Sequence, residues 1–308
     1  MPFYLATEEW IARNLPPQEY FFAWQVAPSV ICGRNQDVAC EIDIAFCRQN
    51  NIGIYRRKSG GGAVYADMNN IMFSYVGPAA AVQDAFDGYT SRVAGALRLL
   101  GLEAEASGRN DILISGRKVA GNAFWRCGDR CIVHGTMLYD ADETTMRLAL
   151  TPSKAKLMSH KVRSVESRII TVKSQLPALP LDAFLDHILG SVCSGSIELP
   201  AEAVPAIRKI ENTYYAETFS EDSPAQSCER IEGVGDININ VKSAGNTIGE
   251  VSLCGDFFFD EDPERSLERL RGLPFSEEVI TAALGGKPVI RALDNALLAR
   301  MIVARHKS

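Results

Sequence analysis

The chain has 308 residues, of which 46% are hydrophobic, enough for one large core or for a large core with a smaller satellite domain. Its 32 basic and 38 acidic side chains give a net charge of -6, which does not indicate a nucleic-acid partner. No stretch approaches the ~20 apolar residues that span a bilayer, and the N-terminus has no basic segment followed by an apolar one. We therefore expect a cytoplasmic protein with no membrane partner.

Helical and strand patterns alternate through the first half of the chain. Apolar spacing predicts a helix over residues 4–13, ended by a Pro-Pro pair. Further helices are predicted near 41–50 and 81–100, and β-rich runs predict strands over 20–26, 29–32, 52–57, 63–66 and 71–76. Strand patterns then fill 103–139, with tight turns at Ser115-Gly116 and Gly128-Asp129. This order predicts an α+β fold with a large mixed or antiparallel sheet flanked by helices.

The second half of the chain predicts a second, smaller domain. Residues 143–210 have mostly helical patterns, and the polar, Pro-containing segment 220–226 is typical of a linker. Two alternating strands (231–241 and 247–254) and two amphipathic helices follow. We predict a large domain over 1–222, which holds the large core entirely, and a small C-terminal α+β domain over 223–308.

Cys127, Cys131 and His134 come closest to a metal-binding pattern. They offer three ligands that zinc accepts, although structural zinc sites usually use two closely spaced pairs. In the interpretation that we favour, the two cysteines flank a hairpin turn at Gly128-Asp129 and serve as small apolar side chains. The eight cysteines of the chain lack the paired spacing of a disulfide scaffold, which indicates reduced thiols.

The most informative stretch is RRKSGGGAVY, residues 56–65. Consecutive glycines let backbone amides approach a ligand, and the preceding cations offer charge-assisted contacts to phosphate or carboxylate. The stretch is not a Walker loop, because no Gly-Lys-Ser/Thr follows, and Tyr65 stands where a dinucleotide fingerprint needs its third glycine. An anion site is one interpretation, and a glycine-rich hairpin with solvated basic neighbours is the other.

A second stretch, GRNDILISGRKVAGNAF, covers residues 108–124. A two-residue turn at Ser115-Gly116 would pair Ile114 with Arg117, Leu113 with Lys118, and Asp111 with Ala120. Asp111 and Lys118 would then share one face as diagonal neighbours, with Cα atoms roughly 7–8 Å apart. Such a gap suits a phosphate or a hydrated magnesium ion, and the alternative is a distant surface ion pair that contributes about 0–1 kcal/mol.

These stretches also carry a family resemblance. RRKSGGGAVYADMNNIMFS resembles the RRxSGGGAVYHDxGNxNxS signature of lipoate-protein ligases, and GRNDILISGRKVAGNAF and HGTMLYDAD resemble their GRNDxxxxGKKxxGxA and HHGTLLxxxD blocks. WQVAPSVICGRNQ and SVESRI extend the similarity, and GDININVKSAGNTIGEVSLCGDFF resembles the small C-terminal domain of these ligases. The resemblance covers about residues 4–285. It implies ATP-dependent activation of lipoate to lipoyl-AMP, release of pyrophosphate, and transfer to a lysine of a lipoyl-acceptor protein.

The resemblance implies roles for individual residues. Lys118 falls on the catalytic lysine of the family, which contacts both the lipoate carboxyl and the phosphate, and Asp111 falls on its magnesium-associated acid. His134 is either a site-lining residue or a hydrogen-bonded core residue. The implied ATP site comprises Arg57, Gly62, Ala63, Val64, Tyr65 and Lys118, and the implied lipoate site comprises Ser59, Gly61, Lys118 and His134.

ATP as substrate, magnesium, and lipoate are the implied ligands, with an apolar tunnel for the dithiolane tail. The implied acceptor is the glycine cleavage H-protein or the acyltransferase subunit of a 2-oxoacid dehydrogenase. The chain departs from the family pattern at Ala66, Asn69, Val133 and Glu166. These departures bear on substrate preference and rate more than on the type of reaction. Two alternatives stay open: a lipoyl or octanoyl transferase that works without ATP, whose thiol-dependent form would use Cys127 or Cys131, and a non-catalytic lipoate-binding regulator.

Overall fold

The computed structural model describes residues 2–107, 110–150, 168–215, 229–261 and 263–306. The helices in these ranges are α1 (Pro2–Asn14), α2 (Val38–Glu41), α3 (Ile44–Gln49), α4 (Val82–Leu99), α5 (Glu143–Ala149), α6 (Val172–Gln175), α7 (Leu181–Val192), α8 (Ala203–Glu211), α9 (Pro263–Glu268), α10 (Glu277–Leu284) and α11 (Asn295–His306). The strands are β1 (Tyr20–Trp24), β2 (Ser29–Cys32), β3 (Gly53–Arg56), β4 (Val64–Ala66), β5 (Asn70–Pro78), β6 (Ala104–Ser107), β7 (Asp111–Ile114), β8 (Arg117–Cys127), β9 (Arg130–Leu138), β10 (Glu229–Ile231), β11 (Gly235–Ala244) and β12 (Thr247–Gly255).

A six-stranded antiparallel sheet forms the centre of the molecule, in the order β1-β5-β9-β8-β7-β6. Helices cover both of its faces: α4 packs against α7 on one side, and α1 packs against α8 on the other. Both predicted hairpin turns are confirmed. Ser115 and Gly116 have φ values of 47° and 75°, the conformation that a two-residue primed turn requires. The predicted α+β architecture with a large sheet and flanking helices is thereby confirmed.

The β7–β8 hairpin departs from the predicted register beyond its first two pairs. Ile114 pairs with Arg117 and Leu113 with Lys118 as predicted, but the register then shifts, and Asp111 pairs with Gly121. The prediction of Ala120 as its partner is wrong because a β-bulge inserts one extra residue into β8 at this point. Bulges re-aim neighbouring side chains, and this one lies beside Lys118.

A separate three-stranded sheet, in the order β3-β2-β4, carries the glycine loop to the edge of the large sheet. Its strands β2 and β3 run parallel and β2 and β4 antiparallel, so the mixed pairing in the first part of the chain lies here. Tyr65 on β4 is buried with Val30 and Cys32 of β2 in a hydrophobic cluster that includes α2, α3 and α5. The glycine loop therefore has a rigid support.

The C-terminal part of the chain has its own antiparallel sheet, β10-β11-β12, and its own core around Ile237, Leu298 and Ile302. Three helices follow this sheet within the described residues, where the sequence predicts two. The predicted boundary at 222 and linker over 220–226 lie outside the described residues. None of the helices within the described ranges is both long and apolar enough to cross a membrane.

One contact between the two parts of the chain places an aromatic side chain of the C-terminal part in the main core. Phe258 follows β12, is 3% exposed, and packs in the main core with its ring centroid 5.5 Å from that of Phe86 on α4. The expectation that the large core lies wholly upstream of residue 222 is therefore wrong at this position. An aromatic contact has no local sequence pattern, because the two rings are far apart in the chain.

Candidate active site

A cavity of about 410 Å³ opens where the glycine loop, the large sheet and the C-terminal part of the chain meet. This volume lies in the range of small-molecule sites. One part of its lining is apolar and includes Leu5, Ile31, Val64, Met72 and Ala123. Another part is charged and includes Arg57, Asp111, Lys118, Arg168, Arg230 and Asp256. A single cavity lined by both apolar and mainly cationic side chains suits a ligand pair in which an apolar tail and a polyanion meet.

Arg57 anchors the glycine loop from inside the protein. It is only 5% exposed, and its guanidinium donates from Nε to Ser59 Oγ (2.8 Å) and from Nη1 to the Ile31 carbonyl (2.9 Å). Its Nη2 donates to the carbonyls of Gly60 (2.7 Å) and Gly62 (2.8 Å). Burial lowers the pKa of Arg57 to about 10, so the side chain stays cationic at neutral pH. Its charge reaches the cavity wall while its donors hold the loop.

Two glycines allow the loop to fold so tightly. Gly61 has a φ of 83°, in the left-handed region that favours glycine. Gly33, at the end of β2, lies so close to the loop that a Cβ there would overlap the backbone of Gly61. The Arg34 amide donates to the Ser59 carbonyl (2.8 Å), and the Gly61 amide donates to the carbonyl of Phe257 (3.2 Å). The loop is thus held by the residue that follows Gly33 and by the C-terminal part of the chain.

Lys118 and Asp111 lie in direct contact on the cavity wall. Lys118 Nζ is 2.7 Å from Asp111 Oδ1, with the two side chains 25% and 22% exposed. Of the two interpretations of this pair, the structure has the ion pair and not the open gap, with the two groups in direct contact and not distant. Arg168 Nη2 lies 3.8 Å from the other carboxylate oxygen of Asp111, and burial lowers the pKa of Arg168. The backbone of Lys118 also bonds residues 168 and 170, which fixes this part of β8.

Gly121 makes room for the Lys118 side chain. A Cβ at this position would lie 2.5 Å from Lys118 Nζ and 2.7 Å from its Cε, closer than any real contact. The end of the Lys118 side chain therefore occupies the space that a side chain at position 121 of β8 would take. This explains why a glycine stands three residues after the lysine.

His134 combines both predicted alternatives, since it lines the cavity and is also a buried, hydrogen-bonded residue. Its Nδ1 lies 2.9 and 2.8 Å from the two carboxylate oxygens of Glu8 on α1. Its Nε2 lies 2.7 Å from Ser59 Oγ. Ser59 is 1% exposed and lies behind the cavity wall, as does the ring of Tyr65. Gly61, Gly62, Ala63 and Val64 line the cavity directly.

Cys127 and Cys131 flank the confirmed hairpin turn and do not assemble with His134. The Cys131 thiol donates to the Pro78 carbonyl (3.0 Å), and His134 is engaged by Glu8 and Ser59. Within the described ranges, no group of three or more His, Cys, Asp or Glu residues is arranged to hold a metal ion.

Sequence reasoning missed several residues that belong to the site. Glu8 looks like any acidic residue on an amphipathic helix, and nothing local points to a histidine far along the chain. Arg230 comes from β10. Its Nη1 lies 3.1 Å from Asp236 Oδ1 and 3.4 Å from Asp256 Oδ2, in a charged cluster that lines the cavity. Arg168 could have been found from the sequence, because it lies in the SVESRI segment that resembles the family. Residues 164–167 of that segment, which include Glu166, lie outside the described ranges.

The fold and the cavity define an α+β protein with a small-molecule-sized site lined by apolar and by mainly cationic side chains. Residues 1–192 match the family model for the lipoyl protein ligase A/B catalytic domain, and residues 224–296 match that for the bacterial lipoate protein ligase C-terminus. The chain belongs to the lipoate-protein ligase family. The Bacillus subtilis lipoate-protein ligase LplJ is 31% identical to it over 302 residues, which cover 92% of this chain and 89% of the relative.

Two solved structures share the fold. P. falciparum LipL1 in complex with lipoate has a TM-score of 0.77 at 17% identity, and the match covers 99% of this chain and 96% of that chain. A lipoate-protein ligase A bound with ATP has a TM-score of 0.59 at 23% identity, with 70% of this chain and 91% of that chain covered.

Proposed function

We propose that the protein is an ATP-dependent lipoate-protein ligase. It joins lipoate and ATP to form lipoyl-AMP and pyrophosphate, and it then transfers the lipoyl group to a lysine of an acceptor protein. The observation that carries the proposal is the position of Lys118, whose ammonium lies on the wall of a cavity that is apolar in one part and cationic in another.

The lining of the cavity suggests how the two substrates would bind. The dithiolane tail suits the apolar lining around Leu5, Met72 and Ala123, with its carboxylate directed toward Lys118. The triphosphate suits the cationic wall and the glycine loop, whose backbone amides are donors that anions accept. The proposed nucleotide residues Arg57, Gly62, Ala63, Val64 and Tyr65 would act mainly through this loop.

In the first step, a carboxylate oxygen of lipoate would attack the α-phosphorus of ATP, and the bond to pyrophosphate would break. No protein nucleophile is needed, so the chain has to supply orientation and charge. Lys118 would hold the carboxylate and neutralise charge on the phosphate. Arg57 adds a fixed positive charge behind the loop.

In the second step, the amine of an acceptor lysine would attack the carbonyl carbon of lipoyl-AMP, and AMP would leave. Lys118 lies where it would stabilise the negative charge that develops on the carbonyl oxygen. The mixed anhydride must be shielded from water until the amine arrives. Residues Arg230, Gly233, Gly235 and Asp256 of the C-terminal part line the same cavity and would contribute to this cover.

Magnesium is compatible with the residues present. In nucleotide sites this ion usually binds one or two carboxylates together with phosphate oxygens, and Asp111 offers a carboxylate on the cavity wall beside Lys118. When bound, the ion would supply positive charge to the phosphates of ATP. Asp111 would then exchange its contact with Lys118 for the ion, which leaves the ammonium available to the substrate.

We further propose that the chain works in the cytoplasm as two domains, 1–222 and 223–308. Its acceptor would be the glycine cleavage H-protein or the acyltransferase subunit of a 2-oxoacid dehydrogenase. The departures at Ala66, Asn69, Val133 and Glu166 would tune substrate preference and rate. An ATP-independent transferase and a non-catalytic regulator are not favoured, since the ligase similarity extends over most of the chain.

The test is modification of a purified acceptor domain, followed by mass spectrometry. The proposal predicts one lipoyl group on one acceptor lysine, formed only with both lipoate and ATP, with AMP as the nucleotide product. Transfer from a lipoylated or octanoylated donor protein without ATP would support the transferase instead. Lipoate binding without any product would support the regulator.

A further inference from the structure

Beneath the cavity wall, a buried chain of hydrogen bonds connects helix α1 to the glycine loop. It begins at Trp24, whose Nε1 donates to Ser74 Oγ (2.8 Å), and Ser74 donates to Glu8 Oε1 (2.5 Å). Glu8 is 1% exposed and lies beside Nδ1 of His134, whose Nε2 lies beside Ser59. A buried carboxylate is costly unless hydrogen bonds compensate it, so this arrangement is specified by the fold.

The acceptors in this chain set the direction of its hydrogen bonds. A carboxylate only accepts, so the ring nitrogen beside Glu8, Nδ1 of His134, carries a proton. In the neutral ring, Nε2 is then the acceptor, and Ser59 donates to it while its Oγ accepts from Arg57 Nε. Every link thus donates toward Glu8, which is the final acceptor from both sides.

The direction of these hydrogen bonds matters because Arg57, which donates to Ser59, also holds the glycine loop. Its Nη2 binds the carbonyls of Gly60 and Gly62. In a planar trans peptide, the N–H group points opposite to the carbonyl, so the Gly61 amide is turned toward the Phe257 carbonyl that accepts from it, and the Ala63 amide is turned away from Arg57 at the cavity. The orientation of the loop amides therefore depends on the orientation of the guanidinium, which Ser59 helps to fix.

We infer that Glu8 is a positioning residue for the ligase reaction: through His134 and Ser59, it fixes the guanidinium clamp that holds the glycine loop, with its Ala63 amide, in position for the nucleotide. The inference rests on the proposed function. A Ser–His–Glu arrangement is also that of an activated nucleophile. Here Ser59 is buried and its oxygen accepts from a cation, which weakens it as a nucleophile, so it positions the loop instead of attacking.

Glu8→Gln breaks this order with little change in shape. If the new amide nitrogen faces His134, the ring proton moves to Nε2 and competes with Arg57 for Ser59. If it faces Ser74, the Ser74 hydroxyl loses its acceptor. We expect the KM for ATP in lipoate-dependent ATP–pyrophosphate exchange to rise on the order of tenfold, the scale typical of outer hydrogen-bond partners, with a smaller change in kcat.

The matched control is Glu211→Gln, which also removes a buried carboxylate, one that pairs with Arg208 and Tyr215 on the far side of α1. It should leave the KM for ATP within twofold of wild type. A folded Glu8→Gln variant with an unchanged KM for ATP would overturn the inference. A wild-type protein that shows no exchange would instead contradict the proposed function, so the two failures are distinct.

A double variant tests the route: in a Ser59→Ala background, Glu8→Gln should add little to the KM for ATP, and the same full rise there would show that Glu8 acts by another route. Two measurements on the wild-type protein keep the inference testable even if Glu8→Gln folds poorly. Nitrogen-15 NMR of the wild-type protein should find the His134 proton on Nδ1, and a proton on Nε2 alone would contradict the order. A lipoyl ester on Ser59, found by mass spectrometry, would overturn the positioning role.

Discussion

Lys118 and Asp111 form an ion pair, with Nζ and Oδ1 2.7 Å apart, across the bulged β7–β8 hairpin. Both side chains are about one-quarter exposed and face the cavity, so the pair contributes little to stability and much to the placement of charge. Asp111 holds the ammonium beside Gly121, where the proposed function would have a substrate carboxylate or phosphate take its place.

Lys118→Ala should abolish lipoyl-adenylate formation without unfolding the protein. Its ammonium would stabilise the transition state, whereas a partly exposed strand lysine adds about 1 kcal/mol or less to folding. The measurement is kcat for pyrophosphate release together with thermal unfolding. Lys242→Ala, which removes an exposed ion pair with Glu250, is the control and should keep full activity. Retention of more than about a tenth of wild-type kcat, a loss under ~1.4 kcal/mol, would refute the role of Lys118.

Gly121→Ala should displace Lys118 while leaving the fold intact. The added methyl group would meet Lys118 Nζ and Cε, the mobile end of a side chain, so the backbone has no need to move. We expect kcat to fall by at least tenfold with a small change in melting temperature. Gly88→Ala in α4 is the control: it meets nothing within 4 Å, and it should stabilise the helix by about 0.5–1 kcal/mol at full activity. An unimpaired Gly121→Ala variant would show that the lysine need not occupy this space.

Arg57→Ala should raise the KM for ATP and also destabilise the protein. Three loop and strand carbonyls lose their donor, at a cost of about 1–3 kcal/mol for each one that stays buried. Arg57→Lys should restore little, because one ammonium does not replace the guanidinium fork. ATP titration and urea unfolding measure the two effects separately. Unchanged ATP dependence would place the nucleotide elsewhere.

The sequence predicts the elements of the site better than its contacts. The glycine run and the Ser115-Gly116 turn are local signals, and they lead correctly to a loop and a hairpin. The bulge beside Lys118 is not local, because it depends on how β8 pairs with β7 and β9 together, so the pairing of Asp111 is wrong by one residue. The sequence also suggests that Arg57 is free for phosphate, whereas its donors are used inside the protein.

Truncation near Ser220 should separate the two half-reactions. The remaining chain keeps its central sheet, but it loses Phe258 from the main core, so we expect it to fold with reduced stability. It should lose most ATP-dependent activation, because the cavity loses Arg230 and Asp256, and still transfer lipoate from ready-made lipoyl-adenylate.

A full-length Phe258→Ala variant tests the stability part alone, with an expected loss of about 3–5 kcal/mol for a buried aromatic ring. If both half-reactions of the truncated chain fall equally, the C-terminal part is a folding requirement. If activation is complete without it, that part is dispensable for the chemistry.

The central claim is that this cavity joins lipoate to the nucleotide. The direct measurement is pyrophosphate release by the purified protein without any acceptor, with lipoate and ATP supplied singly and together. We expect release of about one equivalent per site only when both are present, with lipoyl-AMP retained on the protein and with the signal lost in Lys118→Ala. Release that is independent of lipoate, or no release with both substrates bound, would contradict it.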